Sequence, residues 1–410
     1  MLDALRSRLL ETGLLDRSLY VLVMAATFLG HRIAPIVALV LIASFILRLS
    51  TLRDDIRKLD TSLLWLGGTV GLMCLYFALM STVHHQPYDN VHIFRPRGVE
   101  APGEWLIFGS VSLLALLQFQ QMEDIWAYHK KYFLQILGYA LTIAVLVYVL
   151  GFWVVDQRVY ACRSGLLTFN ANVFAFLFAI VCSVGFASLL WSENDRPKAF
   201  IVLALSVFFL ILITGSRMAI LCFAVTNVLV ALFVPGKRVL NMIFVLGLLT
   251  VVGGLAVLMT ELLDCGLIQR LQRLSDATNP EVSNSTARRF ELWGLAWDAV
   301  RNDLWFGIGP VHEGTLSYPN AHIHNQYLSW LVHGGLFGML IGLAPIIGLL
   351  VYGWVQKGLV GFAVAGALAG FASLNFLSDS LVYWGDILPH FLVLIAFTAG
   401  LIKALPSASK

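Results

Sequence analysis

Charged residues are scarce in this sequence, which excludes most classes of soluble protein. Only 12% of the 410 residues are Asp, Glu, Lys or Arg, whereas 59% are apolar; an average soluble domain is about one quarter charged. Mean hydropathy is correspondingly high, at +0.82. Because long apolar runs of this kind require lipid around them, the composition predicts an all-α polytopic membrane protein with a single membrane domain over residues 1–410.

Metal-binding cysteine pairs and cationic clusters are also lacking. The five cysteines show no paired spacing typical of zinc sites. Cys74, Cys182 and Cys222 lie in apolar runs, where a thiol behaves as a small apolar side chain. The net charge of +3 is spread along the chain, which argues against nucleic acid as a partner. The sequence thus indicates no metal and no cofactor.

Long apolar runs recur along the chain and predict about twelve transmembrane helices, since a span needs roughly 20 mainly apolar residues. Pro345 could break the tenth span. The predicted spans are 18–31, 33–48, 62–81, 105–120, 132–152, 170–191, 199–214, 217–234, 239–262, 334–354, 358–378 and 387–403.

The distribution of Lys and Arg among the short loops predicts the orientation. With both termini inside, most of these residues fall on the cytoplasmic side, among them Lys130, Lys131, Lys357 and Lys403. A polar loop at 83–104 and a larger one at 263–323, inserted between transmembrane helices 9 and 10, then lie outside. We therefore expect a multi-pass membrane protein whose functional face is the external one.

The large loop contains a helical pattern of its own. Ser285 or Thr286 could cap a helix that runs through residues 287–305 and ends before the GIGP turn at 307–310. Its apolar positions recur at helical spacing and form one aromatic face. The pattern indicates an amphipathic helix lying at the membrane interface or packed on the bundle. The apolar positions are Phe290, Trp293, Ala296, Trp297 and Val300.

Arginines near the predicted external rim are the first candidates for chemistry. Arg217 lies at the junction of two spans, in LITGSRMAI, where an ionisable group is costly and therefore suggests function. An arginine that contacts lipid phosphates is the alternative. Arg288 and Arg289 are adjacent, so on a helix they point about 100° apart. Arg289 lies one turn before Trp293, which predicts that it faces the bundle; two solvated arginines are the alternative.

Two further polar segments fall on the same predicted face. In YPNAHIHNQYLSW, His322, His324 and Asn325 precede a span and Tyr327 follows. Two histidines at i and i+2 do not share a helix face and have no suitable carboxylate partner, so a zinc site is not indicated. A neutral imidazole can instead accept a proton. In CRSGLLTFNANVFA, Arg163, Asn170 and Asn172 could contact a polar headgroup.

The convergence of these segments on one face predicts an anion site with a base beside it. Guanidinium groups pair well with phosphate or diphosphate. A histidine nearby could take the proton of an attacking hydroxyl while the phosphate leaves, and cationic groups could stabilise the departing charge.

The order of the motifs resembles the O-antigen ligase and O-antigen polymerase superfamily of bacterial envelope enzymes. The resemblance rests on TGSR after a span, R-x-x-x-W from Arg289 to Trp293, G-x-G-P from Gly307 to Pro310, and H-x-H-N before the next span. RSGLLTFNANVFA also resembles that superfamily's R-x-x-G-x-x-x-N-x-N-x-x-A stretch, with Gly165 one position earlier than the pattern's glycine and Ala171 where a proline is frequent.

This resemblance implies a metal-independent, inverting glycosyltransferase with a GT-C-like membrane fold. It also implies a place in a bacterial inner membrane, with the active site facing the periplasm. It implies that Arg217 and Arg289, assisted by Arg288, bind the diphosphate of an undecaprenyl-diphosphate-linked glycan and that His324 activates the acceptor hydroxyl. We expect an O-antigen ligase of lipopolysaccharide biosynthesis, with lipid A–core as acceptor. Other candidate substrate contacts are Arg163, Asn172, His322, Asn325 and Tyr327.

Two alternatives remain open at this point. A polymerase would use the same donor and differ only in its acceptor. A transporter or flippase for the lipid-linked glycan belongs to another class, typically with repeated halves and broken helices that meet at mid-membrane. We find no convincing repeat, and the polar residues concentrate at one rim and in one loop, which suits an enzyme better.

Overall fold

A computed structural model of the chain describes residues 13–29, 34–48, 60–83, 102–122, 124–155, 171–214, 216–234, 238–262, 284–309, 323, 325–376 and 387–406. In these ranges the protein is all-helical, with twelve α-helices and no strand. The helices are α1 Leu14–Leu29, α2 Ala34–Arg48, α3 Thr61–Val83, α4 Pro102–Gln121, α5 Ile125–Val155, α6 Ala171–Leu190, α7 Arg196–Phe209, α8 Arg217–Phe233, α9 Arg238–Leu262, α10 Asn284–Val300, α11 Gln326–Asn375 and α12 Ile387–Ala404.

Apolar side chains cover much of the outer surface, as expected for a protein surrounded by lipid. Among the described residues, three helices are long and apolar enough to cross a membrane, namely Thr61–Val83, Arg238–Leu258 and Gln326–Asn375, or four if the bent pair formed by α4 and α5 is one span. Trp65 on α3 and Val239 on α9 are 73% and 65% exposed. The chain is therefore an integral membrane protein, while the total of about twelve spans and the external placement of 263–323 stay predictions.

Each predicted span overlaps a described helix or helix segment, and the largest differences are at the starts of α5, which begins at Ile125, and of α11, which begins at Gln326. The helix in the large loop is also displaced, because α10 begins at Asn284 and ends at Val300. Ser285 and Thr286 thus lie in its first turn rather than before it, and residues 301–306 form turns. The apolar pattern continues to Trp305, but the helix ends at Val300 because the residues that follow it form backbone hydrogen bonds with α11.

Helix α11 is a hairpin of two antiparallel segments. Its backbone departs from helical geometry at Gly335, Lys357 and Gly358, and the last two residues form the bend. Pro345 lies inside the first segment without a break in helical dihedral angles, so the break predicted there is wrong. The two breaks fall at glycines with positive φ, a conformation that other residues rarely adopt.

Helix α6 occupies the centre of the bundle. Every side chain from Phe174 to Leu190 is buried, and the helix packs against α1, α7, α8, α11 and α12. Cys182 is buried here, and Cys74 and Cys222 are buried on α3 and α8, as their apolar surroundings predict. Because this stretch carries no charged side chain, the other helices can enclose it without burying a charge.

The bundle has two ends, which we name after residues of α11. At the Lys357 end, Gln356 donates to Asp60 at the start of α3, and Lys403 Nζ donates to the Gln120 carbonyl at 3.0 Å. At the Gln326 end, the hydroxyl of Tyr76, late in α3, donates to the Gly334 carbonyl at 2.6 Å. Basic residues concentrate at the Lys357 end, in agreement with the two-sided charge pattern of the sequence. They include Lys130, Lys131, Arg196, Lys198, Lys357 and Lys403.

A buried histidine joins three helices near the Lys357 end. The His129 ring on α5 lies 3.1 Å from the Tyr20 hydroxyl through Nδ1 and 3.0 Å from Ser188 Oγ through Nε2. Ser188 Oγ donates its own proton to the Gly185 carbonyl. It must therefore accept from Nε2–H, while Tyr20 donates to Nδ1, so the network assigns a neutral ring protonated at Nε2.

Two carboxylates at the Lys357 end have lowered pKa values. The backbone N–H of Ser62 holds the pKa of Asp60 below its usual value, helped by Gln356. Burial alone would raise the pKa of Asp195, but hydrogen bonds from Lys198 and Ser192 and the charge of Lys198 outweigh burial and lower it. Asp60 thus caps the start of α3, whereas Asp195 pairs with the Lys198 and Ser192 side chains and makes no side-chain cap to α7.

Candidate active site

The start of α8, which carries the Arg217 motif, lies at the Gln326 end. Helix α8 runs antiparallel to the second segment of α11: the Phe233 and Phe362 rings are 5.8 Å apart, and Gly370 faces Thr226. Extending this alignment brings the first turn of α8 to the level where α11 ends, near Phe376. The backbone of Arg217 therefore belongs to this end, whereas its side chain lies outside the described residues.

The chain immediately before Arg217 is not a regular helix. Helix α7 continues as a π-helical turn over Leu210–Thr214, in which Thr214 Oγ1 donates to the Leu210 carbonyl and accepts from the Ser216 N–H. Ser216 then adopts an extended conformation before α8 begins. Such π-helical turns frequently mark functional positions, and this one sets the direction in which α8 starts.

The start and the end of α11 are joined directly. The N–H of Gln326 donates to the Phe376 carbonyl at 2.8 Å, and the hydroxyl of Tyr327 donates to the Ser373 carbonyl at 2.8 Å. Phe376 also contacts Phe176 near the start of α6 at 6.2 Å between ring centroids. The Asn172 backbone, in the first turn of α6, thus lies at the same end as the segment 325–327.

Helix α10 docks on this end through an indole hydrogen bond. Trp293 Nε1 donates to the Ile323 carbonyl at 2.8 Å. Beneath this contact Ala296, Ile323 and Val332 form a small buried cluster, against which Trp293, Ile308 and Leu328 pack. The loop helix is therefore attached both to α11 and to the residue that directly precedes His324.

The turn that follows α10 is attached to the break in α11 by backbone contacts. The N–H of Ile308 donates to the Val332 carbonyl, and the N–H of Leu336 donates to the Leu304 carbonyl, both at 2.8 Å. Gly307 and Gly335 meet so closely that a Cβ on either would overlap the backbone of the other segment. The helix break and the G-x-G turn therefore fit each other.

Arg289 lies near the buried positions of α10, and its predicted role in facing the bundle stays a prediction. It is half-buried, one turn before Trp293, and Ala296 and Val300 on the same face are buried. The aromatic face itself is only partly packed, because Phe290 and Trp297 are 62% and 52% exposed. Those two rings suit a membrane–water interface.

Asn325 and Tyr327, predicted as substrate contacts, have structural partners. Asn325 caps α11, because its Oδ1 accepts from the Leu328 N–H at 3.2 Å, and Tyr327 bonds to Ser373 as described above. For a substrate, Asn325 can still donate through its Nδ2 group, and the Tyr327 hydroxyl oxygen can still accept a hydrogen bond.

Several predicted site residues fall beyond the described part of the chain. Arg163, His322 and His324 lie outside it, and of Arg217, Arg288 and Asn172 only the backbone is described. Within the described ranges no three His, Cys, Asp or Glu side chains are grouped as metal ligands. Because His322 and His324 are not among those residues, a metal-free site stays a prediction.

Two features of the site were missed by sequence reasoning. The indole N–H of Trp293 was treated only as part of an aromatic face, and the pair Gly334–Gly335 was not recognised as a helix break. The second had a local signal, since two adjacent glycines interrupt an otherwise continuous apolar helix. The first had none, because the partner of Trp293 lies 30 residues along the chain.

Comparison with known proteins agrees with the motifs. A family model described as O-Antigen ligase matches residues 199–343, a range that includes α7 to α10 and the first part of α11. A search of curated proteins found no match. Over residues 199–343 the chain therefore carries a domain of the O-antigen ligase and polymerase superfamily, as the order of its motifs predicts.

Proposed function

We propose that this protein is an O-antigen ligase of the bacterial inner membrane. It transfers O-antigen polysaccharide from undecaprenyl diphosphate to a sugar hydroxyl of lipid A–core on the periplasmic side, as an inverting, metal-independent glycosyltransferase. The observation that carries the proposal is the hydrogen bond from Trp293 to Ile323, because it joins the Arg289 helix to the segment of His324 inside the matched domain.

Arg217 and Arg289, assisted by Arg288, would bind the donor diphosphate. Support comes from the backbone, since α8 begins at Arg217 and α11 begins at Gln326 at the same end of the bundle. A helix N-terminus carries a partial positive charge, which favours an anion there. The half-buried position of Arg289 removes part of its water shell and strengthens its pairing with phosphate.

His324 would act as the general base. The acceptor hydroxyl oxygen attacks the anomeric carbon of the donor glycan and forms the new glycosidic bond, while the bond from that carbon to the diphosphate oxygen breaks. The electron pair leaves with undecaprenyl diphosphate, and the hydroxyl proton moves to the imidazole of His324. Attack opposite the leaving group inverts the anomeric centre. Arg163, Asn172, His322, Asn325 and Tyr327 remain the candidates for holding the sugars.

The first experiment tests the base. His324→Ala should insert and fold normally but yield no O-antigen-capped lipopolysaccharide in a complemented deletion strain, and His322→Ala should be tested in parallel. Normal capping on the gel from His324→Ala would remove His324 from the mechanism.

The arginines can be tested against matched controls. Arg217→Ala and Arg289→Ala should weaken retention of a lipid diphosphate by the purified protein by about tenfold or more, because a charge-assisted hydrogen bond is worth about 1.5–3 kcal/mol. Arg238 begins α9 at the other end of the bundle, and Arg301 is exposed beside Asp298 on the loop. Equal losses in Arg238→Ala and Arg301→Ala would contradict the assignment.

The same deletion strain separates ligase from polymerase. Loss of every ladder band with accumulation of lipid-linked polymer indicates a ligase, whereas retention of a single-repeat band indicates a polymerase. In proteoliposomes, movement of unmodified donor without a new glycosidic bond would indicate transport instead.

A further inference from the structure

Two aromatic rings project from the turn that follows α10. Residues 301–306, which we call the rim turn, leave the helix after Val300. Trp305 and Phe306 are 59% and 53% exposed, although the turn is held against α11 by the hydrogen bond from the Phe337 N–H to the Trp305 carbonyl. Two adjacent large apolar side chains on a backbone held in this way form an exposed patch, and such a patch marks an interaction surface.

The patch continues onto the outer side of α11. The ring centroids of Trp305 and Phe306 lie 5.8 Å and 5.5 Å from that of Phe337. From Phe337 to Val355 every exposed side chain of α11 is apolar, as expected of a helix surface that faces lipid. These exposed side chains are Phe337, Leu340, Ile347, Val351, Trp354 and Val355.

The length of this stretch places the two rings at one end of it. From Leu336 to Gln356 the helix is about 30 Å long, which is close to the thickness of the hydrocarbon core of a bilayer. Phe337 lies in its first turn and the exposed Trp354 in its last. Aromatic side chains are enriched at both surfaces of a membrane, where acyl chains meet headgroups. Trp305 and Phe306 therefore lie at the level where the hydrocarbon core ends.

Charged side chains near the start of the rim turn limit how deeply it can insert. Arg301 and Asp303 are exposed, and Arg301 pairs with the exposed Asp298 at 3.3 Å. Charges are tolerated among headgroups and water but are costly in hydrocarbon. The turn thus has a polar start that suits headgroups and an apolar end that suits acyl chains.

We propose that the rim turn is a membrane anchor whose partner is phospholipid: Trp305 and Phe306 insert at the boundary between headgroups and acyl chains, in the leaflet at the Gln326 end. Lipid is favoured over water and over a second protein because the patch is continuous with a helix surface as long as the bilayer core is thick. The anchor holds the rim turn, and through it the break at Gly335, at the membrane surface. It does not depend on the proposed glycosyl transfer.

Tryptophan fluorescence can test the anchor in the full-length protein, reconstituted in phosphatidylcholine liposomes. Bromine near the top of the lipid acyl chains quenches an indole that touches them, whereas iodide in the buffer quenches an indole in water. Trp305→Phe keeps an aromatic ring in the turn, so the fluorescence that it removes belongs to Trp305. Trp105→Phe is the matched control, because Trp105 is buried against Phe77, which contacts Gly334 at the same end of the bundle.

The fluorescence lost in Trp305→Phe should be quenched by brominated lipid at least about threefold more strongly than the fluorescence lost in Trp105→Phe, since only the exposed ring can touch acyl chains. Phe306→Trp, made separately, adds a second indole whose fluorescence should also be quenched by brominated lipid. Quenching of these signals by iodide without quenching by lipid would place the rim turn in water. Quenching by neither agent would show that protein covers it, and either result would overturn the proposal.

Discussion

Three glycine substitutions in α11 can measure how much the contact between the loop turn and the break in α11 contributes to the free energy of unfolding. Gly335 has φ +64° and ψ −159°, a region accessible essentially only to glycine, and an alanine there costs about 1–3 kcal/mol in backbone strain. Its Cβ would also overlap the backbone of Trp305. That turn would have to move away and give up its backbone hydrogen bonds with α11.

The hydrogen bonds at stake are those of Ile308 to Val332, Leu336 to Leu304 and Phe337 to Trp305. At about 1 kcal/mol each they add roughly 3 kcal/mol, so Gly335→Ala should destabilise the protein by about 4–6 kcal/mol in total. Gly358 has φ +56° but open space around it, so Gly358→Ala should cost only the strain of about 1–3 kcal/mol.

Gly366 supplies the neutral control, because it is helical and has nothing within 4 Å of an added Cβ. Gly366→Ala should leave stability unchanged or raise it by up to about 1 kcal/mol. Denaturant unfolding in mixed micelles, followed by tryptophan fluorescence, should order the proteins Gly366→Ala, unsubstituted, Gly358→Ala, Gly335→Ala from most to least stable. If Gly335→Ala is no less stable than Gly358→Ala, the turn contributes nothing measurable and the reasoning fails.

Two predictions concern the Lys357 end. His129→Ala should lower the free energy of unfolding by about 2–5 kcal/mol, because it leaves a cavity and removes the hydrogen-bond partner of the buried Tyr20 hydroxyl. Denaturant unfolding in micelles measures this loss. A loss under about 1 kcal/mol would show that the network contributes little to stability. The lowered pKa of Asp195 means that its ionised form stabilises the fold. This stabilisation is complete above the ordinary pKa of 3.8 and is lost as the pH falls through the lower folded value. Asp195→Asn should therefore flatten the stability profile as the pH falls below the ordinary pKa of a carboxyl group, and an unchanged acid limb would contradict the assignment.

The helices of this protein follow closely from local sequence. The predicted spans 62–81, 239–262 and 387–403 correspond to α3, α9 and α12 within a few residues. The reason is that lipid offers no hydrogen-bond partners, so each backbone polar group must be satisfied within its own helix. An apolar run of sufficient length therefore forms a helix. The motif order was also sufficient to predict the superfamily, which the match over residues 199–343 bears out.

Local reasoning was weaker where helices end or break. The sequence left open a break at Pro345, yet the backbone stays helical there and breaks at Gly335 instead. Neighbouring helices can accommodate a proline within the membrane, whereas Gly335 is required by the close approach of another segment. Likewise α10 stops at Val300 although its apolar pattern continues, because the next residues turn to meet α11.

The sequence by itself thus determined the lipid environment, the positions of the helices and the residue types available for chemistry, since each depends on stretches of about 20 residues or fewer. Only the tertiary structure decided which segments meet: that the indole of Trp293 reaches Ile323, that Gln326 bonds to Phe376, and that Gly307 fits against Gly335. These contacts join residues 28 to 50 positions apart. Their geometry depends on how helices pack side by side, which no local pattern of hydropathy specifies.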